Sequence, residues 1–165
     1  MLGAAPARAL DLGSGAGVPG LVLALHWPES RWILLDAGVR RATVLTQAVT
    51  ALGLDARVGV VCARAEEAGQ NPAHRGHYDL VTARSFGAPA VTAECGAPFL
   101  RVGGILAVTE PPDATSRWPV EGLATFGLAP GASSTTPNAQ QLIAVSPCPD
   151  RYPRRTGVPA KRPLF

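Results

Sequence analysis

A glycine-rich segment that directly follows an apolar run constrains this chain more than any other feature. Residues 9–20 read ALDLGSGAGVPG, so a short strand-like run meets an acidic residue and four glycines before an apolar helical pattern resumes. Glycine allows positive φ angles and close approach of a ligand, and the first N–H groups of the following helix can bind polar or anionic atoms. The pattern predicts the first strand and the nucleotide-binding loop of an α/β domain, with a nucleoside-containing cofactor as the ligand.

Two carboxylates near this loop bear on which cofactor it binds. The sequence GAGVPG at residues 15–20 matches a dinucleotide fingerprint, and Asp36 ends the next apolar run at close to the ~20-residue spacing of a ribose-binding carboxylate. NAD and S-adenosylmethionine both fit these features. Asp11, however, creates a D-x-G-x-G-x-G pattern that resembles the first motif of class I methyltransferases. A carboxylate at that position suits a cofactor that carries an ammonium group, and it suits a pyrophosphate badly.

The hydrophobic periodicity predicts alternating strands and helices in one domain. We expect strands at 7–12, 32–36, 57–63, 78–83 and 105–109, helices at 21–26, 40–52 and 88–100, a polar loop at 67–77 and a Gly103-Gly104 turn. Residues 124–128 and 140–145 are candidates for a terminal antiparallel pair, which would favour a methyltransferase sheet over a dinucleotide fold. The predicted fold class is therefore a Rossmann-like α/β sheet with helices on both faces, formed by residues 1–148.

Residues 149–165 are predicted to form a basic, proline-rich tail. Five of the chain's 15 Lys and Arg residues and none of its 12 Asp and Glu residues lie in positions 151–165. Such a tail is not expected to form a helix, and its spaced cations suit a phosphate backbone as well as simple solvation. The cations proposed to bind RNA are Arg151, Arg154, Arg155, Lys161 and Arg162.

Other features narrow the class of protein. The sequence has no apolar run near eighteen residues and no leader-like start, so we expect a soluble, cytoplasmic protein. The three cysteines are far apart and are expected to be buried or half-buried thiols rather than a disulfide framework or a zinc site. His74 and His77 have no third ligand nearby, so no metal site is predicted.

Several segments together resemble the bacterial small-subunit (16S) ribosomal RNA guanine-N7 methyltransferases, the glucose-inhibited division protein B family. The resemblance covers most of the chain from Ala9 onward and rests on the segments at 11–20, 34–36, 40–41, 64–67, 79–86 and 152–155 with Pro163-Leu164. It implies S-adenosyl-L-methionine as the cofactor and 16S rRNA or the small ribosomal subunit as the partner. It places Ala65 at the adenine and Arg84 close to the reaction.

The residues expected to contact the cofactor are Asp11, Gly13, Ser14, Gly15, Gly17, Pro19, Asp36, Ala65, Glu66 and Arg84, with Arg84 also the candidate catalytic residue. Asp11 would hold the ammonium group, directly or through water, and Asp36 would accept hydrogen bonds from both ribose hydroxyls. Structural roles compete with these functions: Asp36 could cap a helix, Glu66 could favour a helix start, and Arg84 could pair with Asp79 or Glu110.

Two features depart from the family pattern. The family usually has a helical segment before the first strand, which here begins within the first ten residues, and it commonly ends the fifth strand with Lys-Gly, where this chain has Glu110-Pro111. A small-molecule methyltransferase, an inactive cofactor-binding homologue and a nicotinamide-dependent oxidoreductase therefore remain alternatives.

Overall fold

A seven-stranded sheet forms the centre of the molecule. The computed structural model describes residues 4–111 and 117–165. In chain order the elements are β1 (Arg8–Leu12), α1 (Gly20–His26), β2 (Arg31–Asp36), α2 (Val39–Ala51), β3 (Val58–Cys62), α3 (Ala65–Gln70), β4 (Tyr78–Ala83), α4 (Pro89–Gly96), a 3₁₀ turn (Ala97–Phe99), β5 (Leu100–Thr109), α5 (Val120–Ala124), β6 (Leu128–Thr135), β7 (Asn138–Ala144) and α6 (Val158–Lys161).

The strand order is β3-β2-β1-β4-β5-β7-β6. The first five strands are parallel, whereas β7 runs antiparallel to both β5 and β6. The terminal antiparallel pair expected from the sequence is therefore present. Because the order reverses at β1, the carboxyl ends of β1, β2 and β4 border a crevice where α/β sheets bind their ligands.

The central parallel strands β1, β2 and β4 are buried on both faces, and successive residues of one strand enter different cores. Leu34 packs with α1 and α2, whereas Leu35 packs with α3, α4 and the C-terminal segment. Leu80 and Val81 of β4 divide in the same way. This explains why these strands appear in the sequence as continuous apolar runs.

Gly103-Gly104 lies inside β5, so the predicted turn at this position was wrong. The register between β4 and β5 shifts here, and a Cβ on Gly104 would lie 2.8 Å from the Tyr78 carbonyl oxygen. Glycine is required because the two backbones approach closely at a bulge, and a bulge is easily mistaken for a turn in sequence.

Three further boundaries differ from the sequence predictions. The polar segment at 67–77 begins inside α3, and the helix predicted at 88–100 ends at Gly96 before the 3₁₀ turn. The strand predicted at 124–128 begins only at Leu128, because α5 runs to Ala124 and Gly127 reverses the chain with a φ of 75°. Competing short-range turns, rather than hydrophobic pattern, set these ends.

Candidate functional site

A cavity of about 530 Å³ lies at the carboxyl ends of β1, β2 and β4. Most of its walls come from the glycine-rich loop, the β2–α2 connection, the start of α3 and the segment after β4, and the helices α4 and α6 add Val91, Cys95 and Ala160. Its lining includes Gly13, Ser14, Gly15, Asp36, Arg41, Ala65, Glu66, Arg84, Ser85, Phe86 and Ala160. The volume falls in the range of small-molecule and cofactor sites.

The glycine-rich loop forms one wall with its backbone. Gly13 has a φ of 70°, and a Cβ at this position would lie 2.7 Å from the Phe86 ring. Gly15, with a φ of 55°, has no protein atom nearer than 3.8 Å to a Cβ position. The N–H of Ser14 donates to the carbonyl of Leu35 at 2.9 Å, which fixes the loop against β2. The loop therefore presents bare backbone to the cavity, and its predicted contact with a cofactor stays a prediction.

Asp36 ends β2 and lines this cavity. Its Oδ2 accepts the Gly15 N–H at 2.9 Å, and its Oδ1 accepts the Gly38 N–H and the Arg41 Nε–H at 2.8 Å each. Burial raises the pKa of this carboxyl, but the donors from Gly38, Gly15 and Arg41 outweigh burial and hold the pKa below its usual range. Asp36 is thus an ionised acceptor that ties the glycine loop to the start of α2.

Arg41 is a site residue that sequence reasoning assigned no role. Its guanidinium pairs with Asp36, yet its side chain is 60% exposed. A carboxylate has about four lone-pair sites, and three of those on Asp36 are in use. Oδ2 already has one free site, and if Arg41 moves into solvent Oδ1 gains one as well, so that one free site on each oxygen matches a pair of neighbouring hydroxyls. The five-residue spacing from Asp36, at the start of a helix, was the signal available in the sequence.

Asp11, Gly17 and Pro19 are not among the residues that line the cavity. Asp11 is 1% exposed; it accepts the Thr82 hydroxyl at 2.6 Å and the Gly20 N–H at 3.2 Å, and burial raises its pKa. Gly17 packs against Leu21 and Leu45, and Pro19 precedes α1. These three residues hold the loop in its conformation and do not form the surface of the cavity.

The start of α3 forms the opposite wall. Ala65 and Glu66 line the cavity, and Glu66 is buried. Glu66 Oε1 accepts the Gly157 N–H at 2.9 Å and lies 3.4 Å from Arg64 Nη2. Burial raises the pKa of Glu66, but the hydrogen bond from Gly157 and the charge of Arg64 outweigh it and leave the pKa below its usual value. Glu66 therefore anchors the C-terminal segment, a contact that no sequence pattern indicates.

The segment after β4 carries an exposed cation beside a strained residue. Arg84 lines the cavity, and its guanidinium forms no hydrogen bond or ion pair within the part of the chain that the structure describes; Asp79 pairs with Arg101, and Glu110 with Arg117. Ser85 has a φ of 52°, a conformation that non-glycine residues rarely adopt and that is found preferentially at functional sites. The predicted location of Arg84 at the rim of the site is consistent with this geometry.

The C-terminal basic segment packs onto the domain instead of extending from it. Tyr152, Pro153 and Pro159 are buried, and residues 158–161 form α6, so the expectation that this tail contains no helix was wrong. Pro159 lies in the first turn of α6, where its missing N–H costs nothing. Ala160 of this short helix reaches the cavity wall.

The five tail cations have different environments. Arg154 binds Glu94 through both Nε and Nη2, at 2.8 and 2.7 Å, and Glu94 is 1% exposed. Arg151, Arg155, Lys161 and Arg162 are exposed. Only these four present their charge to solvent.

Three further observations concern the cysteines, the metal-ligating side chains and the membrane-spanning character of the helices. Cys62 is exposed, contrary to the expectation for the thiols, because it is the last residue of the edge strand β3. Among the residues that the structure describes, no group of three metal-ligating side chains occurs. Within the same residues, none of the helices has the length and apolar character needed to cross a membrane.

The comparisons with known proteins agree with this geometry. The family model described as rRNA small subunit methyltransferase G matches residues 3–110. A ribosomal RNA small subunit methyltransferase G from Deinococcus radiodurans is 39% identical over 96% of this chain and 66% of its own length. The relative of the same name from Roseiflexus castenholzii is 36% identical over 99% of this chain and 73% of its own length. The chain thus spans about two thirds to three quarters of these relatives.

Solved structures support the fold alone. The antibiotic-resistance methyltransferase Kmr has a TM-score of 0.62 at 16% identity, covering 84% of this chain and 86% of its own. The cyclase SpnF has a TM-score of 0.57 at 22% identity over 75% of this chain and 51% of its own. The sheet order and these similarities identify a Rossmann-like class I methyltransferase fold.

Proposed function

The chain belongs to the rRNA small subunit methyltransferase G family, and on that basis we propose that it transfers a methyl group from S-adenosyl-L-methionine to N7 of a guanine in 16S rRNA. The observation that carries the proposal is the cavity in which Asp36 and the glycine loop face the start of α3. A cofactor made of an amino acid, a ribose and an adenine needs three neighbouring binding regions, one for each part, and the glycine loop, Asp36 and the start of α3 can supply them.

The chain's residues fit this cofactor in the following arrangement. The backbone at Gly13, Ser14 and Gly15 would contact the methionine end, and Asp36 would accept hydrogen bonds from both ribose hydroxyls once Arg41 has moved into solvent. The Ala65 N–H would donate a hydrogen bond to the adenine. Glu66 holds the C-terminal segment that closes the adenine end of the cavity. Asp11, Gly17 and Pro19 act as positioning residues beneath the loop.

The chemistry proposed requires binding and orientation more than proton transfer. Bound S-adenosylmethionine supplies an electrophilic methyl group on a sulfonium. Guanine N7 offers a lone pair and carries no proton, so no general base is required. The protein's contribution is to hold the acceptor nitrogen in line with the methyl group at near-contact distance. Arg84, exposed at the rim beside Ser85, is suited to hold a phosphate or a base of the acceptor.

The exposed tail cations are proposed as RNA contacts. Arg151, Arg155, Lys161 and Arg162 present positive charge on a segment that reaches the cofactor cavity at Ala160. Arg154 is removed from this proposed set, because Glu94 already neutralises it. The proposed partner is 16S rRNA, free or in the small ribosomal subunit.

Transfer of labelled methyl from S-adenosylmethionine to small ribosomal subunits that lack the modification tests the proposal, with nucleoside mass analysis of the product. The expected product is 7-methylguanosine. Retained cofactor binding with no transfer to RNA would overturn the proposed acceptor and indicate a small-molecule methyltransferase or an inactive homologue. Transfer to naked 16S rRNA but not to subunits would identify the free RNA as the substrate.

A further inference from the structure

A second cavity, of about 380 Å³, lies beside the proposed cofactor cavity. The two share Ser85 and Phe86 as a common wall, and the second cavity extends from there to the end of β5. Its far side contains Glu110 and Trp118, and Thr92 of α4 contributes a hydroxyl. The volume is sufficient for one nucleobase.

Glu110 lines the second cavity, and hydrogen bonds from its neighbours fix its carboxylate in place. Its side chain is 8% exposed. Oε1 accepts the Trp118 indole N–H at 3.0 Å, and Oε2 accepts from Arg117 Nη1 at 3.2 Å. Its own backbone N–H donates to the Asn138 carbonyl at 2.9 Å, which fixes its position beside β7. Each carboxylate oxygen keeps one further acceptor site, so Glu110 can receive two more hydrogen bonds.

One free acceptor site on each oxygen of a fixed carboxylate can match one edge of guanine. Guanine carries two adjacent donors, N1–H and the N2 amino group, on its Watson–Crick edge, and its N7 lies on the opposite side of the ring system. Adenine has an acceptor, N1, at the corresponding place, which a carboxylate repels. A guanine bound to Glu110 through its Watson–Crick edge would direct N7 away from β5, towards Phe86 and the cofactor cavity.

We propose that the Glu110 cavity is the acceptor-base pocket and that Glu110 selects guanine by accepting hydrogen bonds from N1–H and N2. The proposal rests on the proposed function, because it supplies the substrate contact for the same reaction. The Lys-Gly pattern of the resembled family is absent at this position, so the contact belongs to this chain's own residues. Arg117 and Trp118 act as positioning residues that hold the carboxylate in place.

Equilibrium binding of guanosine and inosine monophosphates tests the pocket separately from catalysis. Inosine differs from guanosine only by lacking the N2 amino group, so one hydrogen bond to a charged acceptor is lost. In the presence of S-adenosylhomocysteine, we expect the wild-type protein to bind the guanosine nucleotide about tenfold more tightly by calorimetric titration. In Glu110→Gln, which turns one acceptor into a donor and leaves the other without charge, the ratio of the two affinities should fall clearly below the wild-type value.

Glu121→Gln is the matched control, since Glu121 is exposed on α5 and does not line the cavity. This variant should keep the wild-type ratio. The wild-type ratio needs no substitution, so it decides the proposal even if Glu110→Gln fails to fold. A wild-type protein without preference for the guanosine nucleotide, including one that binds neither nucleotide, overturns the proposal, as does an unchanged ratio in a folded Glu110→Gln.

The methyl-transfer assay separates this proposal from the proposed function. Formation of 7-methylguanosine by Glu110→Gln at the wild-type rate would overturn the pocket while leaving the reaction intact. Guanosine-selective binding that depends on Glu110, without transfer to any RNA, would overturn the reaction while leaving the pocket intact.

Discussion

Asp36 is the residue on which the proposed cofactor site most depends. Asp36→Ala removes the acceptors for both ribose hydroxyls, and each hydrogen bond to a charged group is worth about 1.5–3 kcal/mol, so we expect affinity for S-adenosylhomocysteine to fall by at least about 100-fold. Calorimetric titration measures this. Arg41→Ala, which frees the same carboxylate, should cause no loss, and Glu29→Ala on the exposed surface serves as a neutral control. Unchanged affinity in Asp36→Ala would remove the assignment.

Asp11 is expected to contribute to stability in place of direct ligand contact. Asp11→Ala leaves the Thr82 hydroxyl and the Gly20 N–H without their partner, and an unpaired buried group costs about 1–3 kcal/mol. We expect the free energy of unfolding to fall by about 2–4 kcal/mol in urea titrations, with only a small change in cofactor affinity of the folded protein. A variant of wild-type stability with greatly weakened binding would restore the original assignment to the cofactor ammonium.

At the scale of the elements, the docked tail gives its adjacent residues Arg154 and Arg155 different roles, since one is paired with Glu94 and the other is exposed. Arg154→Ala leaves Glu94 buried without its cation, and breaking a buried pair in this way costs about 3–5 kcal/mol. Thermal unfolding should therefore occur at a clearly lower temperature. Arg155→Ala should leave the melting temperature unchanged, weaken RNA binding and reduce the salt dependence by about one counterion. Equal effects of the two substitutions on RNA affinity and stability would contradict this division.

The elements also show how far sequence reasoning reaches. The β1 loop and Asp36 were predictable, because backbone approach demands glycine and parallel strands demand apolar runs, both of which are local. The tail was not. Arg154 and Glu66 owe their roles to contacts with Glu94 and Gly157, far away in sequence, and a Pro/Arg-rich segment has the same composition whether it is docked or free. The Gly103-Gly104 bulge was misread as a turn for the same reason.

At the scale of the whole molecule, three carboxyl groups with lowered pKa values predict that the folded protein loses stability in acid. Asp36, Glu66 and Asp79 all have pKa values below their usual range, because hydrogen bonds and nearby cations outweigh their burial. Their stabilisation is complete above the unfolded-state pKa values and is lost as the pH falls through the lower folded-state values. Asp11, whose pKa burial raises, acts in the opposite direction.

Urea titrations between about pH 3 and pH 7 measure this acid dependence. We expect stability to decline as the pH falls below about 4, and we expect Asp79→Asn, at the opposite end of β4 from the cofactor cavity, to make the decline shallower. A variant with the wild-type slope would contradict the role of Asp79.

The cavity joins Gly13 near one end of the described chain to Ala160 near the other. No partly folded chain that lacks either region has the complete site, so ligand binding reports on completion of the whole native topology. Contacts of such sequence separation are slow to form, since a long loop must close before they stabilise the chain. A ligand bound there is linked to global unfolding and should protect even distant amide hydrogens from exchange.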